Sequence, residues 1–119
     1  MPINTAVIGM GPIGNRHAAI YEKNPKINLV GLCEKDPSRN QAAGSQFNLP
    51  CYASTEELFA KEEIHLCSVT TGGYEYGSDH FEPTIFALTN GSHVLCEKPI
   101  SNSIENAFEM VQAAERYNK

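Results

Sequence analysis

A chain of 119 residues, 41% hydrophobic and 19% charged, is long enough for one folded domain and too short for two. Its formal charge of −5 argues against nucleic acid as a partner, because binding a phosphate backbone calls for a basic face. No apolar run approaches the roughly 18–20 residues that span a bilayer, and the Met-Pro-Ile-Asn start lacks the regions of a secretion signal; a cytoplasmic protein with no membrane partner is expected.

Ile3–Ile8 is an apolar run broken only at Asn4 and Thr5 and ended by Gly9, which predicts a first strand. Pro12–Asn24 places Ile13, His17, Ile20 and Tyr21 near helical spacing and is closed by Asn24-Pro25. Ile27–Cys33 predicts the second strand, and Asp36-Pro37-Ser38 starts a polar helix that runs to about Phe47. A short strand is expected over Cys51–Ala53. Ser54, with Glu57 three residues on, has capping-box spacing for the next helix. Ile64–Val69 predicts a fourth strand, Thr84–Asn90 a helix closed by Gly91, and Ser92–Cys96 a fifth strand. The last helix, Ser103–Asn118, carries Ile104, Ala107, Phe108, Val111 and Ala114 on one face, which predicts something for it to pack on.

Apolar strands alternating with helices predict an α/β fold, a doubly wound parallel sheet covered on both faces. Such dinucleotide-binding Rossmann folds normally add a further strand and a substrate domain. Residues 1–119 therefore read as one such domain, truncated before the final strand and the second domain. Cys33, Cys51, Cys67 and Cys96 lack metal-ligand spacing. They read as buried free thiols of a reducing compartment, and no metal is expected.

The chemistry sits in the loops. Gly9-Met10-Gly11-Pro12-Ile13-Gly14 is a GxGxxG that follows a strand and opens a helix. Gly9 permits the tight turn, Gly11 lets backbone approach a pyrophosphate, and Gly14 allows close helix–strand packing. N–H groups at the helix start then hold the diphosphate, with Pro12 suited to the first turn. Glu34 closes the second strand 20 residues after Gly14. An acid there accepts hydrogen bonds from ribose hydroxyls and repels a 2′-phosphate, favouring NAD over NADP, although Lys35 and Arg39 stand nearby. Thr70-Thr71-Gly72-Gly73 would let the nicotinamide half lie against the backbone, and Tyr74–Asp79 could line a pocket or be surface. His80 opens the next helix at the same edge. His17 reads as a core or interface residue, His93 as structural, and His65 as the weakest candidate. Glu97-Lys98-Pro99 leaves the fifth strand at the crevice. Lys98 could bond a substrate hydroxyl or the nicotinamide ribose, or transfer a proton if burial lowered its pKa. Pro99 would fix the loop, and an X–Pro bond there has the cis form open to it. All these features follow strand C-termini, where such sheets bind ligands.

Together the residues resemble the glucose–fructose oxidoreductase, inositol dehydrogenase and rhizopine-catabolism (Gfo/Idh/MocA) oxidoreductases over essentially the whole chain. The resemblance rests on Val7–His17, on Cys33-Glu34-Lys35-Asp36-Pro37, and most specifically on Gly91–Pro99 with its Glu-Lys-Pro motif; His80 matches the family's histidine. It implies an NAD(P)-binding domain followed by an α/β domain with a large open sheet. It implies hydride transfer at a carbinol carbon of a sugar, cyclitol or related polyol. Lys98 matches the family lysine that contacts substrate and nicotinamide ribose, and is the expected catalytic residue. Gly9, Gly11, Pro12, Ile13, Gly14, Glu34, Thr70, Thr71, His80 and Glu97, with Lys98, form the expected cofactor site. Two departures stand out: the Thr71–His80 segment is longer than the family's and lacks its proline, and the family's further catalytic residues lie in the absent domain. At full length a homo-oligomer is expected. A non-catalytic dinucleotide-binding regulatory module is the alternative, and the presence of Lys98 favours the enzyme.

Overall fold

The computed structural model describes residues 1–72 and 79–119. Most of the aromatic, acidic stretch after Gly72 therefore lies outside the described residues. Strands β1 (Ile3–Ile8), β2 (Ile27–Cys33), β3 (Cys51–Tyr52), β4 (Leu66–Val69) and β5 (His93–Cys96) form one sheet in the order β3-β2-β1-β4-β5. Every pairing is parallel. Helices α1 (Pro12–Glu22), α2 (Pro37–Phe47), α3 (Thr55–Lys61), α4 (Phe81–Thr89) and α5 (Ile104–Arg116) complete the doubly wound fold.

The apolar runs become strands because both of their faces are covered. Along β1 successive side chains alternate between two cores. Val7, with Leu32 of β2, lies under Ala18 of α1 and Ala43 and Phe47 of α2. Ala6 and Ile8, with Cys67 and Val69 of β4, face Leu58 of α3 and Ala87 of α4. Since β1 has β2 on one side and β4 on the other, the chain reverses its winding there, and a crevice opens beyond the ends of β1 and β4.

Element ends differ from the sequence expectation by a few residues, each for a local reason. Helix α1 stops at Glu22, where Lys23 and Asn24 turn their N–H groups back to Ile20 and Tyr21, and Pro25 cannot continue the helix. Helix α4 starts at Phe81 rather than Thr84, because Pro83 falls in the first turn, where no N–H is needed. Strand β4 starts at Leu66: Ile64 joins the core, but the ladder begins after His65 N–H reaches Asn4 O. Ser92 sits outside β5, its N–H donated to Ala87 O. Strand β3 ends at Tyr52, and the Lys98–Pro99 peptide is cis.

On α5, Met110 and Ala113 are the buried residues, whereas Ile104 and Phe108 of the apolar stripe are 79% and 67% exposed. Val111, and Leu95 on the outermost strand, also face solvent.

All four cysteines are free thiols. Burial, reinforced by the neighbouring Cys51 and Glu34, pushes Cys33 up to about 12. Thiolate is the reactive form, so Cys33 and the fully buried Cys67 are expected to resist alkylation in the folded chain at mildly alkaline pH and to react on denaturation. The same shift makes folding weaken above the ordinary thiol value of 9.0, where the unfolded chain ionises first. Rapid labelling of Cys33 in the native protein would show that the β2–β3 edge opens.

Candidate active site

The three glycines of the loop have separable roles. Gly9 has φ +96°, and a Cβ there would lie 2.6 Å from Thr71 N. A Cβ on Gly14 would collide with Gly9 O and stand 2.9 Å from Thr70 Oγ1. Both are required by the fold. Gly11 is not: the nearest atom to an added Cβ is the Arg39 guanidinium at 3.7 Å. The space beside Gly11 is therefore kept open toward the crevice.

Neighbouring side chains hold the loop in shape. Asn15 Nδ2 donates to Met10 O at 3.0 Å and Gly11 O at 2.9 Å. Thr70 Oγ1 donates to Gly9 O at 2.8 Å and is also 3.1 Å from Ile8 O. Helices α2, α3 and α5 are capped by Asp36, Ser54 and Ser103 side chains, but α1 begins at Gly11 with no side-chain cap. Its first N–H groups and the positive end of its dipole are left for a ligand.

Glu34, 8% exposed, lies at the end of β2 with its carboxylate turned onto the backbone. Its Oε1 accepts from Met10 N–H at 3.0 Å and its Oε2 from Asp36 N–H at 2.9 Å. Each oxygen has a second lone pair, so a ribose hydroxyl can still be bound. The acid thus anchors the glycine loop as well as lining the crevice, a role its position in sequence does not reveal. Arg39 lines the same wall, on the first turn of α2.

On the opposite wall, Glu97 N–H bonds Val69 O at 3.0 Å, and Glu97 Oε1 accepts from Lys98 N–H at 3.2 Å. Glu97 Oε2 lies 3.3 Å from His17 Nε2. His17 Nδ1 is 2.9 Å from Ser68 Oγ, which is in turn 2.6 Å from Tyr21 Oη. His17 therefore couples α1 and β4 to the Glu-Lys-Pro segment, a site role beyond the packing residue expected of it. Its one advance signal was a polar ring on a helix face that must bury. Lys98 is exposed, so this chain does not supply the burial on which proton transfer by a lysine would depend. Thr71 Oγ1 donates to Asp79 O at 3.2 Å.

His80 is only 2% exposed, and its ring places Nδ1 2.7 Å from Pro99 O and Nε2 2.9 Å from Thr71 O. His93 opens β5 in an exposed position, and His65 pairs at the surface with Asn4 N–H and Glu63.

The crevice, about 1190 Å³, is lined by Gly9, Gly11, Glu34, Thr71, Glu97 and Lys98, among others. Pro12, Ile13, Thr70 and His80 also line it; Gly14 lies behind, where it packs helix on strand. Open space at Gly11, an uncapped helix end, an acid at the β2 terminus and a nearby guanidinium together fit a dinucleotide. Among the described residues there is no group of three or more potential metal ligands, and no helix is long and apolar enough to cross a membrane.

The family model described as an oxidoreductase family with an NAD-binding Rossmann fold matches residues 3–119. The chain is 29% identical to D-glucoside 3-dehydrogenase of Escherichia coli over 99% of its own length and 33% of that protein. It is 30% identical to 2,7-anhydro-N-acetylneuraminate hydratase of the same organism, over 93% of the chain and 28% of that protein. The WlbA dehydrogenase of Chromobacterium violaceum, solved with NADH and UDP-GlcNAcA, superposes with a TM-score of 0.90 at 29% identity, over 99% of this chain and 33% of that one. The chain thus spans about a third of the length of these relatives. With the glycine loop, the β2 acid and the Glu-Lys-Pro segment at one sheet edge, it belongs to the Gfo/Idh/MocA oxidoreductase family, through that family's NAD-binding Rossmann domain.

Proposed function

We propose that this chain is the cofactor-holding part of an NAD-dependent dehydrogenase that acts on the CH–OH group of a sugar, cyclitol or related polyol. One observation carries the reading: a single crevice is bordered by the open Gly11 cradle, Glu34 and Lys98. A pure binding module needs the first two and has no use for the third. The relatives named above act on sugars or bind a sugar nucleotide, which supports the substrate class. One of them is a hydratase, so the net reaction depends on what accompanies this domain.

When bound, NAD supplies a hydride acceptor; the chain's own residues hold and orient. The α1 N-terminus takes the diphosphate through its N–H groups, with Arg39 adding positive charge to an otherwise acidic chain. Glu34 takes the adenosine ribose hydroxyls with the lone pairs its backbone bonds leave free, and its charge opposes a 2′-phosphate. Lys98 donates to a substrate hydroxyl or to the nicotinamide ribose, held in place by the His17–Glu97 contact. The same reading puts the full-length protein in the cytoplasm as a homo-oligomer, with its free thiols in keeping with a reducing compartment.

Calorimetry on the chain is expected to show NAD binding more tightly than NADP, and the full-length protein is expected to form NADH from NAD and a polyol. A clear preference for NADP would remove the role given to Glu34. NAD binding without polyol oxidation over a broad sugar and cyclitol panel would favour the regulatory module.

A further inference from the structure

The ring of His80 faces two groups that can only accept hydrogen bonds. Its Nδ1 is 2.7 Å from Pro99 O and its Nε2 2.9 Å from Thr71 O. A neutral imidazole has one N–H, and either tautomer would set a nitrogen lone pair against a carbonyl lone pair. Both bonds close only when both ring nitrogens carry protons. We propose that His80, as an imidazolium, is a positioning residue that clamps the Glu97-Lys98-Pro99 segment to the β4 exit at Thr71 and so sets where Lys98 stands in the crevice.

The surroundings support a built clamp. Thr71 follows β4 and Pro99 follows β5, so the ring bridges the two strand exits that border the crevice. Asp79 reinforces the bridge: its Oδ1 accepts from His80 N–H at 2.6 Å, its Oδ2 from Ser101 Oγ at 3.2 Å, and its backbone oxygen from Thr71 Oγ1 at 3.2 Å. His80 occupies the N-cap of α4 but makes no side-chain cap bond, because its ring reaches across the loops instead. Burial and the positive end of the α4 dipole both oppose a cation here. Two carbonyl oxygens on the ring and the adjacent Asp79 carboxylate act against them. Among the described residues, the other titratable groups of the packed segments are Glu82 on α4 and Cys96, Glu97 and Lys98 around β5. The importance of Lys98 rests on the functional reading above, whereas the clamp does not.

Nitrogen-15 NMR of the histidine-labelled chain tests this. Near neutral pH, His80 is expected to show two protonated ring nitrogens of nearly equal shift, and a single bare nitrogen shifted far downfield would overturn the proposal. His80→Gln cannot offer two opposed donors. It is expected to speed amide exchange across Lys98–Ser101 about five- to tenfold, the equivalent of roughly one lost hydrogen bond, with β1 protection unchanged. Unaltered exchange would count against the clamp, and should the variant not fold, the wild-type spectra decide. Failure of the full-length protein to oxidise any polyol would sink the functional reading and leave these spectra untouched.

Discussion

Gly11→Val is expected to abolish NAD binding while leaving the domain folded. The position has extended backbone, φ −78° and ψ −164°, which valine adopts freely. Among the described residues, the nearest atom to a Cβ built there, chain neighbours aside, is the Arg39 guanidinium at 3.7 Å, so the substitution meets little resistance from the fold. The added methyl groups enter the space a diphosphate needs in order to reach the α1 N–H groups. A loss of about 100-fold or more in affinity, some 2.7 kcal/mol, is expected by calorimetry. Far-ultraviolet circular dichroism and the urea midpoint should stay close to those of the parent chain. A folded variant with unchanged NAD affinity would mean that the diphosphate lies elsewhere.

Gly14→Ala should do the opposite and damage the fold. In an open helix, replacing glycine with alanine stabilises by about 1 kcal/mol. At Gly14 the new Cβ would overlap Gly9 O and crowd Thr70 Oγ1 at 2.9 Å. Neither is the far end of a flexible side chain: the first is backbone of the turn, and the second is pinned by its bonds to Ile8 and Gly9. Relief requires α1 to lift from β1, loosening the core cluster that holds Ala18 and Val7. Overpacking of that kind costs about 3 kcal/mol or more, which outweighs the gain in helix propensity. Urea denaturation is expected to show a markedly lower midpoint, and a more stable variant would show that the loop yields more easily than its hydrogen bonds suggest.

The contrast shows what could be read in advance. The glycine loop was legible because it follows a strand and opens a helix, a context in which small residues have few other uses. The doubly wound parallel sheet followed from apolar strands separated by helices, and capping at Asp36 and Ser54 followed from local side-chain chemistry. Relations across long sequence separations were not legible. The bonds from Glu34 to Met10 and from His17 to Glu97 join residues 24 and 80 positions apart. A spacing rule finds the acid at the end of β2 without showing what else it grips. His80 was found by position, but its contacts with Thr71 O and Pro99 O were not, because a ring at a crevice edge can turn inward as readily as outward. On α5 the periodicity was correctly helical, yet it could not tell which apolar stripe is covered.

The grip of Glu34 on two backbone amides bears on how coenzyme choice can drift in this lineage. Admitting a 2′-phosphate calls for loss of the negative charge, but the same carboxylate holds Met10 in the glycine loop proposed to take the diphosphate. A neutral replacement therefore removes a repulsion and an anchor in one step, and the intermediate is expected to bind both coenzymes less well. Glutamine keeps an oxygen for one amide but turns an N–H₂ toward the other. A change of preference is thus uphill by single substitutions here, and becomes accessible only after a second contact takes over the loop. Asn15, already bonded to Met10 O and Gly11 O, stands where such a contact could be strengthened first.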